Sequence, residues 1–167
     1  SLKEVPAGLF KHNAKISDYT YAFSGCTSLV TVGSEVFNCA YGAASLNSLF
    51  AGCTSLKNIS EDMFISPEKV RYLNNMFQNC SSLESVPAGI FDNFKAVTSG
   101  LSTFNGCTAL KGESPYTVIG GVKYHLYERT AENTAATGFA ALANLASMFK
   151  GCTGLSDYAN IPDACKE

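Results

Sequence analysis

The stretch Cys26-Thr27-Ser28-Leu29 decides the fold of this chain, because close variants of it return four more times. The next three copies begin at Cys53, Cys80 and Cys107, each 27 residues after the one before. A fifth copy begins at Cys152, after 45 residues, which is one period of 27 and an insertion of 18. A period in the twenties with a leucine at a fixed place is typical of a solenoid, in which each repeat buries its apolar side by stacking on its neighbours.

The composition excludes two classes of partner. The chain has 167 residues, of which 46% are apolar and 16% charged, and its formal net charge is -2. Nucleic-acid binding needs clustered cations, whereas lysine and arginine are scattered here, so we expect no nucleic-acid partner. No apolar run approaches the ~18 residues of a transmembrane helix, so we expect no membrane insertion in this segment.

The leucine of the motif divides residues 1–167 into the repeats of a single domain. Leu2 already holds this position, whereas a terminal repeat normally differs from an interior one. We therefore expect the C-terminal part of a longer protein, with any signal or anchor upstream. The predicted units are repeats 2–28, 29–55, 56–82 and 83–109, an expanded repeat 110–154 and a C-terminal cap 155–167.

Each repeat is predicted to contain a short parallel strand and a short helix. The strand is the opening Leu-x-x-Val/Ile pattern, which a following proline, as at Pro6, would end. The helix is predicted from apolar residues at i, i+3, i+6 and i+7, with Ser66-Pro67 as a start signal in the third repeat. In that repeat the apolar residues are Val70, Leu73, Met76 and Phe77.

Two further columns follow from the alignment of the repeats. The residue before each repeat cysteine is predicted to be left-handed, because it is always glycine or asparagine. The phenylalanine shortly before it is predicted to form a buried stack. Gly100 and Thr103 replace large apolar residues, so we expect looser packing in the fourth repeat. The first column is Gly25, Gly52, Asn79, Gly106 and Gly151, and the second is Phe23, Phe50, Phe77, Phe104 and Phe149.

The expanded repeat contains a predicted β-hairpin. Residues 116–119 and 122–127 alternate in polarity around Gly120-Gly121, which accept the positive φ angles of a two-residue turn. We predict that the hairpin caps the end of the stack and covers its last strand edge. Alternation places Tyr116, His125 and Tyr127 on one face, where they would form a small aromatic binding surface if the hairpin has a functional role.

The pattern Leu-x-x-Val-(Pro)…Met/Leu-Phe-x-Gly-Cys-Thr-Ser-Leu resembles the BspA-like leucine-rich repeat proteins of anaerobic bacteria. Residues 122–129 and 149–162 are similar to the closing module of such proteins, although Cys165 stands where that module has an aromatic residue. The resemblance implies a secreted or surface-attached protein used in binding or adhesion, and it brings no catalytic residues. The predicted fold class is therefore an α/β repeat solenoid: a leucine-rich-repeat-like right-handed coil with short parallel strands, short helices and a C-terminal β-hairpin cap.

Of the seven cysteines, those of the repeat motif are predicted to be reduced and to bind no metal. These five form one column, and side chains stacked at roughly 4.8 Å neither reach disulfide distance nor converge on a zinc ion. Cys39 and Cys165 lie outside this column, and we expect them to be exposed. His12 and His125 match no metal or nucleophile motif. We therefore expect no enzyme, no metal site and no cofactor.

Two functions remain open from the sequence. The first is a non-catalytic surface or secreted protein that binds a protein or glycan, including a host-derived one, through strand positions that point outward. The second is a passive structural spacer that holds an upstream domain off the cell surface, because the same positions lack the aromatic and arginine residues that dominate binding energy. These positions are Glu4, Thr31, Asn58 and Ser85.

Overall fold

The structure, a computed structural model, describes residues 1–39 and 42–167. Its strands are Glu4–Val5 (β1), Thr31–Val32 (β2), Phe37–Asn38 (β3), Asn58–Ile59 (β4), Phe64–Ile65 (β5), Tyr116–Ile119 (β6) and Val122–His125 (β7). The one α-helix in the described residues is Thr134–Thr137 (α1). Short 3-10 turns lie at Pro67–Lys69, Ala88–Phe91, Leu126–Glu128, Tyr158–Asn160 and Asp163–Cys165. No helix in these residues is long and apolar enough to cross a bilayer.

Equivalent residues of successive repeats pair in parallel, as the 27-residue period predicts. β1, β2 and β4 form one sheet, in which Glu4 is opposite Thr31 and Thr31 is opposite Asn58. β3 and β5 form a second sheet. A third set, which we call the bridge ladder, consists of single parallel bridges that join five repeats. The fold is therefore a repeat fold with short parallel strands and few helices. The bridge ladder contains Asp18, Ser45, Tyr72, Ser99 and Asn144.

The predicted helix of each repeat is wrong, because its residues form turns that bond to the next repeat. The N–H groups of Leu73, Asn75 and Phe77 donate to carbonyls 26 residues further on, at 2.8 to 3.0 Å. The N–H group of Met76 between them donates to Leu73, three residues back. An α-helix requires the i−4 bond at every residue, and Asn75 is left-handed at φ +57°. Ser66 precedes only a 3-10 turn, without a side-chain cap.

The two predicted columns are confirmed. The four glycines before the repeat cysteines have φ between 73° and 81°, and Asn79 has 59°. The phenylalanine rings stack with centroids 5.4 to 5.8 Å apart and planes within 14° of parallel. These rings, together with the fully buried Leu29, Leu56 and Leu83, form the core of the interior repeats.

Four cysteines of the column are fully buried, as predicted. Each thiol donates to a phenylalanine carbonyl of the preceding repeat, at 3.0 to 3.1 Å. Burial raises the pKa of Cys53 and of Cys152 to about 12. Cys26, in the first repeat, is half-buried and has no such bond to another described residue. All seven cysteines are free thiols.

The expected exposure of Cys39 and Cys165 is wrong, since only 1% and 0% of these residues is exposed. The N–H group of Cys39 donates to Ile65 at 2.8 Å, which places Cys39 at the end of the β3–β5 pairing. Cys165 lies in the last 3-10 turn, where its carbonyl accepts the Phe149 N–H at 2.8 Å. Both residues belong to the hydrophobic core although neither belongs to the cysteine column.

The predicted hairpin is confirmed, but it does not close the bridge ladder. β6 and β7 pair antiparallel, and Gly120 and Gly121 have φ of 58° and 84°. The hairpin lies beside the 3-10 turn Ala88–Phe91, where the Thr117 hydroxyl donates to Asp92 at 2.6 Å. The C-terminal tail, residues 155–167, ends the bridge ladder instead. Its carbonyls accept hydrogen bonds from the N–H groups of the last repeat in the ladder. Ser147 donates to Ala164 at 3.0 Å.

Arg129 ties the insertion to the fourth repeat. Its guanidinium donates to the Phe91 and Phe94 carbonyls at 2.8 and 3.0 Å, and it lies 3.6 Å from the centre of the Phe139 ring. The residue is 3% exposed, and burial lowers its pKa to about 10. One side chain thus supplies a donor to the Phe94 carbonyl and a second donor to the Phe91 carbonyl, which also accepts the Phe94 N–H at 3.1 Å.

Candidate binding surfaces

The predicted strand row is assembled across the first sheet. Glu4, Thr31 and Asn58 occupy opposed positions of adjacent strands, which places their side chains about 4.8 Å apart. Glu4 and Asn58 are exposed and Thr31 is half-buried. Ser85 is also exposed, but it lies outside the described strands. The row is a narrow polar surface with one carboxylate.

The structure brings the three predicted hairpin residues together, with Tyr116 and His125 half-buried and Tyr127 buried. The Tyr116 and His125 rings meet edge to face at 5.7 Å, and the His125 and Tyr127 rings stack at 5.1 Å. Tyr127 is 7% exposed and packs its ring against Phe149. Tyr127 is therefore a core residue, because it follows β7 in a 3-10 turn and not in a strand. The expected open aromatic surface is wrong for this residue.

His125 belongs to a buried polar cluster that the sequence did not reveal. The Ser114 hydroxyl donates to Asp157 Oδ2 at 2.6 Å and lies 2.9 Å from His125 Nδ1. The Ser114 N–H donates to Asp157 Oδ1 at 2.9 Å. Ser114 and Asp157 are 43 residues apart in the chain, so no local pattern could join them.

The arrangement of this cluster does not support catalysis. In a Ser-His-Asp triad the imidazole lies between the hydroxyl and the carboxylate, so that it can take the serine proton. Here a single imidazole nitrogen, His125 Nδ1, faces both the Ser114 hydroxyl at 2.9 Å and Asp157 Oδ2 at 3.4 Å, and the serine is 0% exposed. The cluster fastens the hairpin to the tail. The described residues also contain no group of three or more His, Cys, Asp or Glu that could hold a metal ion.

The bridge ladder forms a longer surface than the strand row, and sequence reasoning missed it because it assigned these residues to helices. Tyr72 stands at its centre with 41% of the residue exposed. Asp18 and Asn144, at its two ends, are exposed, and Ser45 and Ser99 are half-buried. An exposed aromatic side chain in the middle of a polar row distinguishes this surface from the strand row.

Two asparagines beside the bridge ladder are held in fixed orientations. Asn47 Oδ1 accepts the Asn74 N–H at 2.9 Å. Asn74 Oδ1 accepts the Leu101 N–H at 3.1 Å and the Ser99 hydroxyl at 2.6 Å. Neither side-chain Nδ2 group donates to another described residue. Both residues are half-buried, and neither Nδ2 atom is among the fully buried polar atoms that lack a partner. Both amides therefore present hydrogen-bond donors to solvent.

Comparison with known proteins gives weak structural likenesses. No family model matches the chain, and neither does any curated protein. The chain is similar to a leucine-rich repeat protein of T. pallidum, with 24% identity and a TM-score of 0.36, over 81% of this chain and 58% of that one. It is also similar to a leucine rich cell surface protein from Faecalibacterium prausnitzii A2-165, with 18% identity and a TM-score of 0.26, over 92% of this chain and 41% of that one. The chain thus spans about half the length of these two proteins, and such low TM-scores assign no function to it.

Proposed function

We propose that this chain is a non-catalytic, BspA-like leucine-rich repeat protein that is secreted or displayed on a bacterial cell and binds an extracellular ligand. Its repeats would form a right-handed solenoid that presents the bridge ladder to the ligand. The repeat motif and the closing segment support the leucine-rich repeat class. Ser114 is fully buried, so a substrate could not reach its hydroxyl as a nucleophile. The proposed binding role rests on the exposure of Tyr72 at the centre of the bridge ladder.

The chemistry around Tyr72 favours a neutral glycan over a protein as the ligand. A tyrosine ring offers an apolar face and a polar tip, which suits a sugar ring with its C–H and O–H groups. The fixed amides of Asn47 and Asn74 offer donors to sugar hydroxyls without further ordering of these side chains. The strand row Glu4, Thr31, Asn58 and Ser85 lacks an aromatic residue and is the second candidate contact surface.

The test is a binding screen followed by two matched variants. The chain is applied to an array of neutral and charged oligosaccharides and to a panel of purified matrix proteins. For the best ligand, Tyr72→Ala should weaken binding about 30-fold, because an aromatic anchor at the centre of an interface is worth ~2 kcal/mol. Asn58→Ala, on the strand row, should leave the affinity unchanged.

Other results would overturn parts of the proposal. A loss of affinity in Asn58→Ala and none in Tyr72→Ala would move the contact surface to the strand row. Binding confined to matrix proteins would exclude the glycan. No ligand on either panel would favour the passive spacer that holds another domain off the cell surface.

A further inference from the structure

Most hydrogen bonds along the bridge ladder run in one direction. At each junction the N–H group just before the bridge residue donates the other way, as that of Ala44 does to Ser17 at 3.2 Å. Four N–H groups of the first repeat donate to four carbonyls of the second, at 2.8 to 3.2 Å. The same four positions are bonded in the same way at the three following junctions between repeats. The donors of the first junction are Tyr19, Tyr21, Phe23 and Gly25, and the acceptors are Ser45, Asn47, Leu49 and Ala51.

This direction makes the two ends of the ladder chemically different. At the last repeat, the N–H groups of Ser147 and Phe149 are used by the tail carbonyls of Ala164 and Cys165. At the first repeat, the four equivalent acceptor carbonyls receive no hydrogen bond from residues 1–39 or 42–167. These carbonyls belong to Asp18, Thr20, Ala22 and Ser24.

The apolar side of the first repeat is uncovered as well. Leu2 and Leu9 are 45% and 44% exposed, whereas Leu29 and Val36, one period later, are 0% exposed. A groove of about 450 Å³ is lined by residues 12–16, and a second of about 240 Å³ is lined by residues 1–2 and 25–28. We call the four carbonyls, the two leucines and the two grooves the open face.

We infer that the open face is a docking surface for one further coil of the same 27-residue pattern, stacked in the same direction as those that follow. Such a coil brings four N–H donors at the spacing of the four acceptors. Its phenylalanine would continue the ring stack from Phe23, and the carbonyl of that residue would accept the Cys26 thiol, as at the four later junctions.

A second copy of this chain does not supply the same partner. Two copies that meet at their open faces would set acceptor against acceptor along the bridge ladder. A copy that presents its other end has already used the N–H groups of Ser147 and Phe149 in bonds to its own tail. An unpaired edge with exposed apolar residues beside it is a place where another chain pairs.

The inference is tested by adding such a coil at the open face. A copy of residues 56–81 is fused directly before Ser1, which keeps the period of 27 because Ser1 is equivalent to Ser82. In the folded fusion, alkylation of Cys26 should slow about tenfold or more relative to the unfused chain, because its site opens only by local unfolding. The Tm should rise by about 5 °C.

The control is the same fusion with Leu73→Ser and Phe77→Ser in the added copy, which has the same length but cannot pack. It should leave Cys26 alkylation, mapped by mass spectrometry, at the rate of the unfused chain. Equal protection of Cys26 in both fusions would overturn the inference. So would an unfused chain that is dimeric in solution with Cys26 already protected.

Discussion

Single residues in this fold are specified by the repeat column to which they belong. The left-handed position before each cysteine accepts asparagine as well as glycine, and Asn79 adopts it at φ 59°. The expected loosening of the fourth repeat is wrong, because a side chain at Gly100 would collide with the Met148 methyl group that fills its place. Thr103 is fully buried and donates its hydroxyl to the Gly100 carbonyl at 2.7 Å. The substitutions in one repeat are compensated by the next.

The buried thiols should make stability depend on alkaline pH. The pKa of Cys53 and of Cys152 is raised from 9.0 to about 12 by burial, so the folded state keeps these thiols neutral. Unfolded thiols ionise from about pH 8.5, so the unfolding free energy should be undiminished below that pH and should fall as pH rises toward 12. Urea denaturation at pH 8 and pH 10 measures the difference.

A matched variant identifies the source of this pH dependence. Cys53→Ala should reduce the loss of stability between pH 8 and pH 10, since one ionising group is removed from the unfolded state. A denaturation midpoint that is equal at both pH values in the parent chain would contradict buried neutral thiols.

At the scale of elements, the local sequence pattern predicted the hairpin correctly. It predicted a helix in each repeat where the structure has turns. The Gly-Gly turn and the alternation around it specify β6 and β7 without help from the rest of the chain. The i, i+3, i+6, i+7 spacing suits a helix and equally suits a coil whose alternate N–H groups bond to the next repeat. Only the neighbouring repeat distinguishes the two, because it supplies the acceptors.

Arg129→Met should destabilise the chain by about 2–4 kcal/mol, because the Phe94 carbonyl loses its donor and the Phe91 carbonyl keeps only the Phe94 N–H. Protection from hydrogen exchange should fall across residues 116–142, which Arg129 anchors to the fourth repeat. Lys95→Met is the matched control, since Lys95 also lies over the Phe139 ring but is exposed, and it should cost at most about 1 kcal/mol. Equal losses in the two variants would show that Arg129 acts only through the ring.

At the scale of the whole molecule, stability passes from each repeat to its neighbours. Most residues that lie close together are distant in sequence, so few local segments could be stable alone. The phenylalanine stack, the cysteine column and the bridge ladder all join the same successive repeats. Damage in a central repeat should therefore reach both adjacent ones.

Phe77→Ala should cost ~3–5 kcal/mol, through lost transfer energy and an unfilled cavity between the rings of Phe50 and Phe104. Denaturant melts give the loss, and hydrogen exchange should show weakened protection in the second and fourth repeats as well. Tyr72→Ala, an exposed site in the same repeat, should change stability by less than about 0.5 kcal/mol. A loss below about 1 kcal/mol for Phe77→Ala would contradict a stacked core.

The sequence by itself determined the period, the parallel register, the left-handed column, the phenylalanine stack, the buried cysteines of the interior repeats and the hairpin. Each of these depends on the identity of a residue at a repeated position or on a two-residue turn, and such signals are local. Tertiary structure alone decided that Cys39 and Cys165 are buried, that Tyr127 faces the core, that Ser114 meets Asp157 and that Tyr72 stands on the longest exposed ladder. These outcomes depend on which segment lies next to which, and hydrogen bonds between residues far apart in the chain establish that.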